Sequence, residues 1–221
     1  MASSLSDNGV QFVDGNVINS SATIPTTGTF TAGQIVISSA VGANVRLIGW
    51  KRLTTGAGHV LNTNWAEITS GITLGTAVAT TSGTAIDFTG IPSWAKRITV
   101  MLNGVSTNGV SPYQVQVGSG SITNNGYYSS AHQFSNLFAN STTGLVLMSA
   151  AAAATTYSGG LMLFHISSNT WIGLGTLAMT GSGTSNGGNT PNLLGALDRV
   201  RLTTVNGTDV FDAGSVNISW E

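Results

Sequence analysis

The chain has no cysteine, which excludes a disulfide framework, a thiolate metal site and a cysteine nucleophile. Charge is almost as scarce, since Asp, Glu, Lys and Arg make up 7% of the 221 residues, against about 25% in an ordinary soluble domain. Seven Lys and Arg face eight Asp and Glu, giving a net charge of −1, and no basic block is present that could track a phosphate backbone. Nucleic acid is therefore not an expected partner. Long apolar runs are missing too. The uncharged stretch that opens at Ile98 and closes at Asp198 is broken throughout by Gly, Ser, Asn and Thr, so it never supplies the roughly 18 consecutive apolar residues of a membrane span. Met1 to Val10 has neither the cationic start nor the apolar run of a secretory signal, and no export signal is expected there. Amphipathic helices need charged faces, and this chain has few residues to build them.

What remains is neutral polarity on an apolar base. Gly alone fills 29 positions, and with Ser, Thr and Asn it takes nearly half of the chain, while 41% of the residues are hydrophobic. That is enough apolar material, over enough length, to bury a core. Strand signals are frequent. Val115 and Val117 alternate with Gln114 and Gln116; Ile98, Val100 and Leu102 alternate with Thr99, Met101 and Asn103; Val216, Ile218 and Trp220 alternate with Ser215, Asn217 and Ser219. Asn103-Gly104, Asn108-Gly109, Asn125-Gly126 and Asn206-Gly207 carry the positive-φ chemistry of tight turns. Asn206-Gly207 predicts a hairpin joining a strand at Arg199 to Val205 with one at Thr208 to Phe211.

Two runs depart from clean alternation: Leu161, Met162, Leu163 and Phe164 are apolar in succession, and Trp171, Ile172 and Leu174 crowd both faces of another. A sandwich strand needs only one apolar face, so the second predicts a further contact, most simply with another subunit. Ala150 to Ala154 is too short to nucleate a helix and reads as a loop or a short helical turn. Before about Thr80 the only strands expected are near Gln34 to Ile37 and Val45 to Lys51. From Thr84 to Glu221 about nine strands follow at short spacing, with no fixed repeat. The expected fold is all-β: a jelly-roll-like antiparallel β-sandwich head over 84–221, preceded by a small β-containing region over 25–83 and an initial segment, 1–24.

The block Leu197 to Glu221, the block Ile86 to Val100 with Asn103-Gly104-Val105-Ser106, and Phe30 and Gly33 leading through Gly49-Trp50 to Gly56, His59 and Trp65 resemble the trimeric tail-fibre and receptor-binding proteins of tailed bacteriophages. The resemblance implies a virion tail component assembled in the host cytoplasm. It also implies a homotrimer that contacts other phage tail or virion proteins, with residues 1–24 as the attachment segment. Its distal domain would adhere to a host cell-surface polysaccharide or outer-membrane protein. A purely architectural virion protein and a capsule depolymerase are the alternatives.

Residues able to do chemistry are few. Cleavage of a glycan would need two carboxylates across a glycosidic bond, and Asp209 and Asp212 read instead as turn chemistry around Phe211. Asp87 points away from the core, where Lys96 or Arg97 could pair with it. His59, His132 and His165 have no second ligand at metal-binding spacing, so neither metal nor cofactor is expected. His165 shares a strand face with Leu161 and Leu163, which leaves open an ion held by three copies on a trimer axis. No serine sits in a nucleophile-elbow context, and no enzyme activity is expected. Sugar recognition uses aromatic faces together with amide and hydroxyl groups. On that basis Tyr113, Tyr127, Tyr128 and His132, clustered near the Asn108-Gly109 and Asn125-Gly126 turns, form the expected receptor-contact set.

Overall fold

The computed structural model describes residues 10–11, 17–21, 24–38, 47–69, 71–134 and 137–221. Among them there is no helix, and the chain is all-β, as its alternating sequence predicts. It forms two compact units, Met1–Gly71 and Ile72–Glu221. No helix among the described residues is long and apolar enough to cross a membrane.

The first unit is one five-stranded sheet in sequence order: β1 (Val10–Gln11), β2 (Val17–Ser21), β3 (Ile35–Ser38), β4 (Leu47–Arg52) and β5 (Trp65–Thr69). All neighbours are antiparallel except β2 and β3. The strands expected at β3 and β4 are present, and β1, β2 and β5 fall outside that expectation. Val36, Trp50 and Trp65 make its small core, with Ile24, Phe30 and Leu61 packed against them. The spaced aromatics thus converge: the Phe30 ring meets Trp65 edge-on at 4.9 Å and His59 at 5.9 Å. Gly49 is required by close approach, because a Cβ there would lie 2.1 Å from the Val36 carbonyl oxygen. Arg52 is buried beside them, its guanidinium 5.1 Å from the Trp65 ring centre, and it donates to the carbonyls of Thr54, Gly56 and Gly58. It staples the 54–58 loop with a charge that accepts cation–π stabilisation. Most of the expected attachment segment, 1–24, lies outside the described residues.

The second unit contains β6 (Thr73–Leu74), β7 (Val78–Ala79), β8 (Ala85–Thr89), β9 (Arg97–Thr107), β10 (Tyr113–Ser119), β11 (Ser121–Ile122), β12 (Tyr128–Gln133), β13 (Leu137–Ser141), β14 (Leu145–Val146), β15 (Tyr157–Ser167), β16 (Thr170–Met179), β17 (Ser182–Asn189), β18 (Arg199–Thr204) and β19 (Phe211–Trp220). They form two antiparallel sheets. The smaller runs β11-β10-β18-β8 with β14 on β10; the larger runs β13-β12-β17-β16-β15-β9-β19-β6 with β7 on β19. The unit starts at Ile72 rather than near Thr84, because β6 and β7 pair with the last strand.

The core lies between the sheets. Ile86, Phe88, Tyr113, Val115, Val117, Val200 and Leu202 come from the smaller sheet. Ile98, Val100, Leu102, Leu161, Leu163, Trp171, Leu177, Val216 and Ile218 face them from the larger. This is the two-layer arrangement in which alternate residues of every strand meet across a shared interior.

Several local expectations are corrected. Asn206-Gly207 does make a turn, with the Gly207 N–H donating to the Thr204 carbonyl, but β18 and β19 belong to different sheets, so it is a crossover and not a hairpin. Asn103-Gly104 is no turn: Gly104, at φ 62°, sits inside β9, and opposite it Gly214, at φ 92°, marks shifts in the β9–β19 register. The tight hairpins form instead at Ser168-Asn169 between β15 and β16 and at Thr180-Gly181 between β16 and β17. Ala150 to Ala154 keeps to its expectation as a loop, ending in a turn with the Thr155 N–H donating to the Ala152 carbonyl. Asp87 pairs with Arg201, its partner across the β8–β18 ladder, through two contacts of 2.6 and 2.7 Å. Lys96 and Arg97 belong to the other layer, and Arg97 pairs with Glu221.

Candidate functional site

The four residues of the expected contact set separate. Tyr113 is fully buried, its ring 5.3 Å from Tyr157 and 6.0 Å from Phe211. Tyr127 is 3% exposed, and its hydroxyl receives the Val117 N–H at 2.8 Å and donates to the Thr123 carbonyl at 2.9 Å. Burial pushes both phenols up to about 12. Neither can stack on a ligand, so both leave the contact set: they close the end of the core. An aromatic beside a turn is more often a plug for the edge of the core than a ligand contact, and at these two positions the plug role holds.

Tyr128 and His132 stay at the surface, on the outer face of β12. Strand alternation explains the split between Tyr127 and Tyr128, since successive residues point to opposite sides. The inner face of β12 carries Ser129 and Ala131, small enough for the strand to lie close to the segment at 145–147, where the Val146 N–H donates to Ser129 Oγ at 2.8 Å. The bulk goes outward. Tyr128 is 81% exposed, and His132, two pleats along, lies about 13 Å away at the usual strand rise.

The hairpin partner strand completes the surface. His132 is paired with Phe138 across the β12–β13 ladder, and their rings stack at 4.6 Å with 28° between planes. Phe138 is 74% exposed and Phe134 64% exposed, and the Phe134 ring approaches His132 edge-on at 6.2 Å. Gly183 makes room for Phe134: a Cβ there would come within 3.0 Å of its ring. Sequence reading missed Phe134, Leu137 and Phe138. The available signal was the pairing of Phe138 on β13 with His132 on the outer face of β12, which needs the register to be seen.

This aromatic edge is free of formal charge, because no Asp, Glu, Lys or Arg occurs on β12, β13 or β17. Stacking faces are flanked by hydroxyls and amides, including Ser130 on the same face and Asn189 opposite Tyr128. Such a surface suits neutral polar ligands with apolar faces, above all pyranose rings, or an apolar protein patch.

The same outer face carries a second feature further in. Met162 pairs with Leu174 and Phe164 with Ile172. Met162, Ile172 and Leu174 are exposed, and Phe164 is half-buried. The outward residues of β17, namely Ser185, Gly187 and Asn189, separate this aliphatic patch from the aromatic edge.

The acids considered for catalysis are engaged elsewhere. Asp209 accepts from the Ser111 N–H at 2.9 Å and from Asn206 Nδ2 at 2.6 Å, and Asp212 accepts from the Ser106 hydroxyl. No group of three acids or histidines placed to hold a metal ion occurs among the described residues. His165 contacts the Ser168 carbonyl through Nε2 at 2.8 Å, and its ring lies 5.0 Å from Trp171. The chain matches no family model, no curated protein and no solved structure.

Proposed function

We propose that the protein is a virion tail-fibre component that adheres to the bacterial surface through the aromatic edge of its larger sheet. The observation that carries this reading is the exposed rings of Tyr128, Phe134 and Phe138, with the half-buried His132 stacked on Phe138, on an uncharged strand pair. A folded chain with an ample core leaves such large rings in water only at a cost; His132, Phe134 and Phe138 lie together, and with Tyr128 further along the same strand face they mark a contact surface. Its ligand is a host polysaccharide or an outer-membrane protein, reached by stacking and amide hydrogen bonds without stripping water from charge.

The protein acts as a homotrimer in this proposal, with the Met162, Ile172 and Leu174 patch covered by another copy. One aromatic edge binds weakly; three on a trimer, and several trimers on a virion, raise the effective concentration into firm attachment. The reading assigns no catalysis and no cofactor: Asp209 is engaged at the Asn206 turn, and Asp212, which lies within β19 and not in a turn as its sequence suggests, accepts from Ser106 of β9.

Fluorescently labelled protein incubated with a panel of bacterial strains tests adhesion. Wild type should decorate cells of at least one strain, and a folded Tyr128→Ala, Phe138→Ala double variant should lose most of that signal. Equal decoration by the double variant would remove the site, and absence of wild-type binding on every strain would favour the architectural alternative.

A further inference from the structure

A separate cleft of about 210 Å³ opens at the end of the second unit, lined by Ser93, Lys96, His165, Ser168, Asn169, Trp171, Ala196 and Leu197. Its walls come from four places in the sequence: the connection before β9, the end of β15, the Ser168-Asn169 hairpin with the start of β16, and the connection before β18. It shares no residue with the aromatic edge.

The cleft is a built feature. Lys96 is fixed on both sides of its backbone, donating its N–H to the Glu221 carbonyl at 2.7 Å and accepting at its own carbonyl from the His165 N–H at 2.9 Å. The His165 contact with the Ser168 carbonyl and its packing on Trp171 hold the imidazole in one orientation. Asn169 Nδ2 donates to the Leu193 carbonyl at 3.2 Å, tying the hairpin to the opposite wall. Trp171 is 3% exposed, and its indole N–H has no acceptor among the described residues.

Its electrostatics favour an anion. The lining contains one lysine and one histidine and no carboxylate. The two acids that adjoin it are already neutralised: Asp198, next to Leu197, contacts Arg199 at 2.7 Å, and Glu221 contacts Arg97. No carboxylate among the described residues forms an ion pair with Lys96. An ammonium left free at the lip of a small cleft attracts an oxyanion. The hydroxyls of Ser93 and Ser168 and the Asn169 amide around it suit a compact ring bearing hydroxyls.

We infer that this cleft binds a single acidic sugar of the uronic-acid class, its carboxylate at Lys96 and its ring against His165, with Trp171 buried behind the imidazole. The inference does not depend on the adhesion reading, and the two fail separately.

Nuclear magnetic resonance titration with D-glucuronate at fixed pH tests it, read at the His165 ring protons and the Trp171 indole N–H, with D-glucose and inorganic phosphate as parallel probes. Glucuronate should shift both signals saturably, and glucose should leave them in place. Lys96→Gln should weaken the response about tenfold, the loss expected for one charge-assisted contact, and Lys96→Arg should recover most of it. Phosphate should move His165 but not Trp171. No shift with glucuronate would overturn the inference. So would a response unchanged in Lys96→Gln, or one that phosphate reproduces in full at both signals, which would make the cleft a general anion contact. Wild-type adhesion to cells without any His165 response would leave the aromatic-edge reading standing and remove only this one.

Discussion

The two outer faces of the second unit are built on the same interior yet carry opposite surfaces. Outward on the smaller sheet, neighbouring strands align Asp87, Arg201 and Gln116 in one row and Ala85, Thr203 and Gln114 in the next. Gln114 accepts from the hydroxyls of Ser141 and Thr143, and Gln116 Nε2 donates to the Thr143 carbonyl at 2.9 Å. Outward on the larger sheet, the middle strands align Met162 with Leu174 and Phe164 with Ile172. The first face is polar, and its glutamines are satisfied by Ser141 at the end of β13 and by Thr143 just beyond it. The second presents apolar side chains to solvent, and that difference is why the trimer proposed above places its contact on the larger sheet.

The largest effect should come from the layer the two faces share. Phe211→Ala removes a fully buried ring that lies 6.0 Å from Tyr113, and a loss of about 3–5 kcal/mol is expected in urea denaturation, the usual range for Phe→Ala in a core. A value typical of a surface change would mean that the two sheets do not pack as described.

Alkaline pH should act on the same layer. Tyr113 and Tyr127 have phenols raised to about 12 by burial, so the folded state favours their neutral form. Their contribution is complete below the ordinary phenol value near pH 10 and is lost as pH climbs toward about 12, at roughly 2–3 kcal/mol each. Tyrosinate absorbance and circular dichroism, followed together, should show these two phenols ionising as the sheet signal falls. Their ionisation in a fully folded protein would contradict the plug role.

A charge placed on each outer face sharpens the contrast. Leu174→Asp should weaken self-association by about 2 kcal/mol or more per site, as at a central interface position, while Thr89→Asp on the smaller sheet should leave the oligomeric mass unchanged. Both variants should melt as folded protein. Equal effects from the two would erase the distinction between the faces.

The smallest effect belongs to the ion pair of the polar face. Arg201 holds the Asp87 carboxyl below its ordinary value, so the pair contributes above the unfolded carboxylate range, and its contribution fades as pH falls through the lowered folded value. The pair is partly exposed, and Asp87→Asn should cost about 0–1 kcal/mol at neutral pH. The cost should vanish in acid, as read from urea midpoints at the two pH values.

The sandwich was legible because alternation is written locally. Ile98, Val100 and Leu102 announce their shared face without any knowledge of partners, and so do Val216, Ile218 and Trp220. The doubly apolar runs at Leu161 to Phe164 and Trp171 to Leu174 likewise showed that one strand pair has two demanding faces. What was not legible was which strands become neighbours. Asn206-Gly207 looks the same whether it closes a hairpin or carries the chain between sheets, and Asp87 gave no hint that Arg201, far along the chain, would lie beside it. The site failed in the same way. Tyr127 and Tyr128 are adjacent and chemically alike, and only the small Ser129 and Ala131 packed behind β12 decide that Tyr127 turns inward and Tyr128 outward. Phe138 enters the site through cross-strand pairing with His132, a relation that exists only once the register does.

The account turns on the apolar outer face being covered by other copies while the aromatic edge stays free. Sedimentation equilibrium of the full chain at micromolar concentration measures this directly. It predicts a wild-type mass of three times the 22.5 kDa chain, falling to one chain in Leu174→Asp and staying trimeric in the Tyr128→Ala, Phe138→Ala variant. A wild-type mass of 22.5 kDa, or a trimer that Leu174→Asp leaves intact, would contradict it.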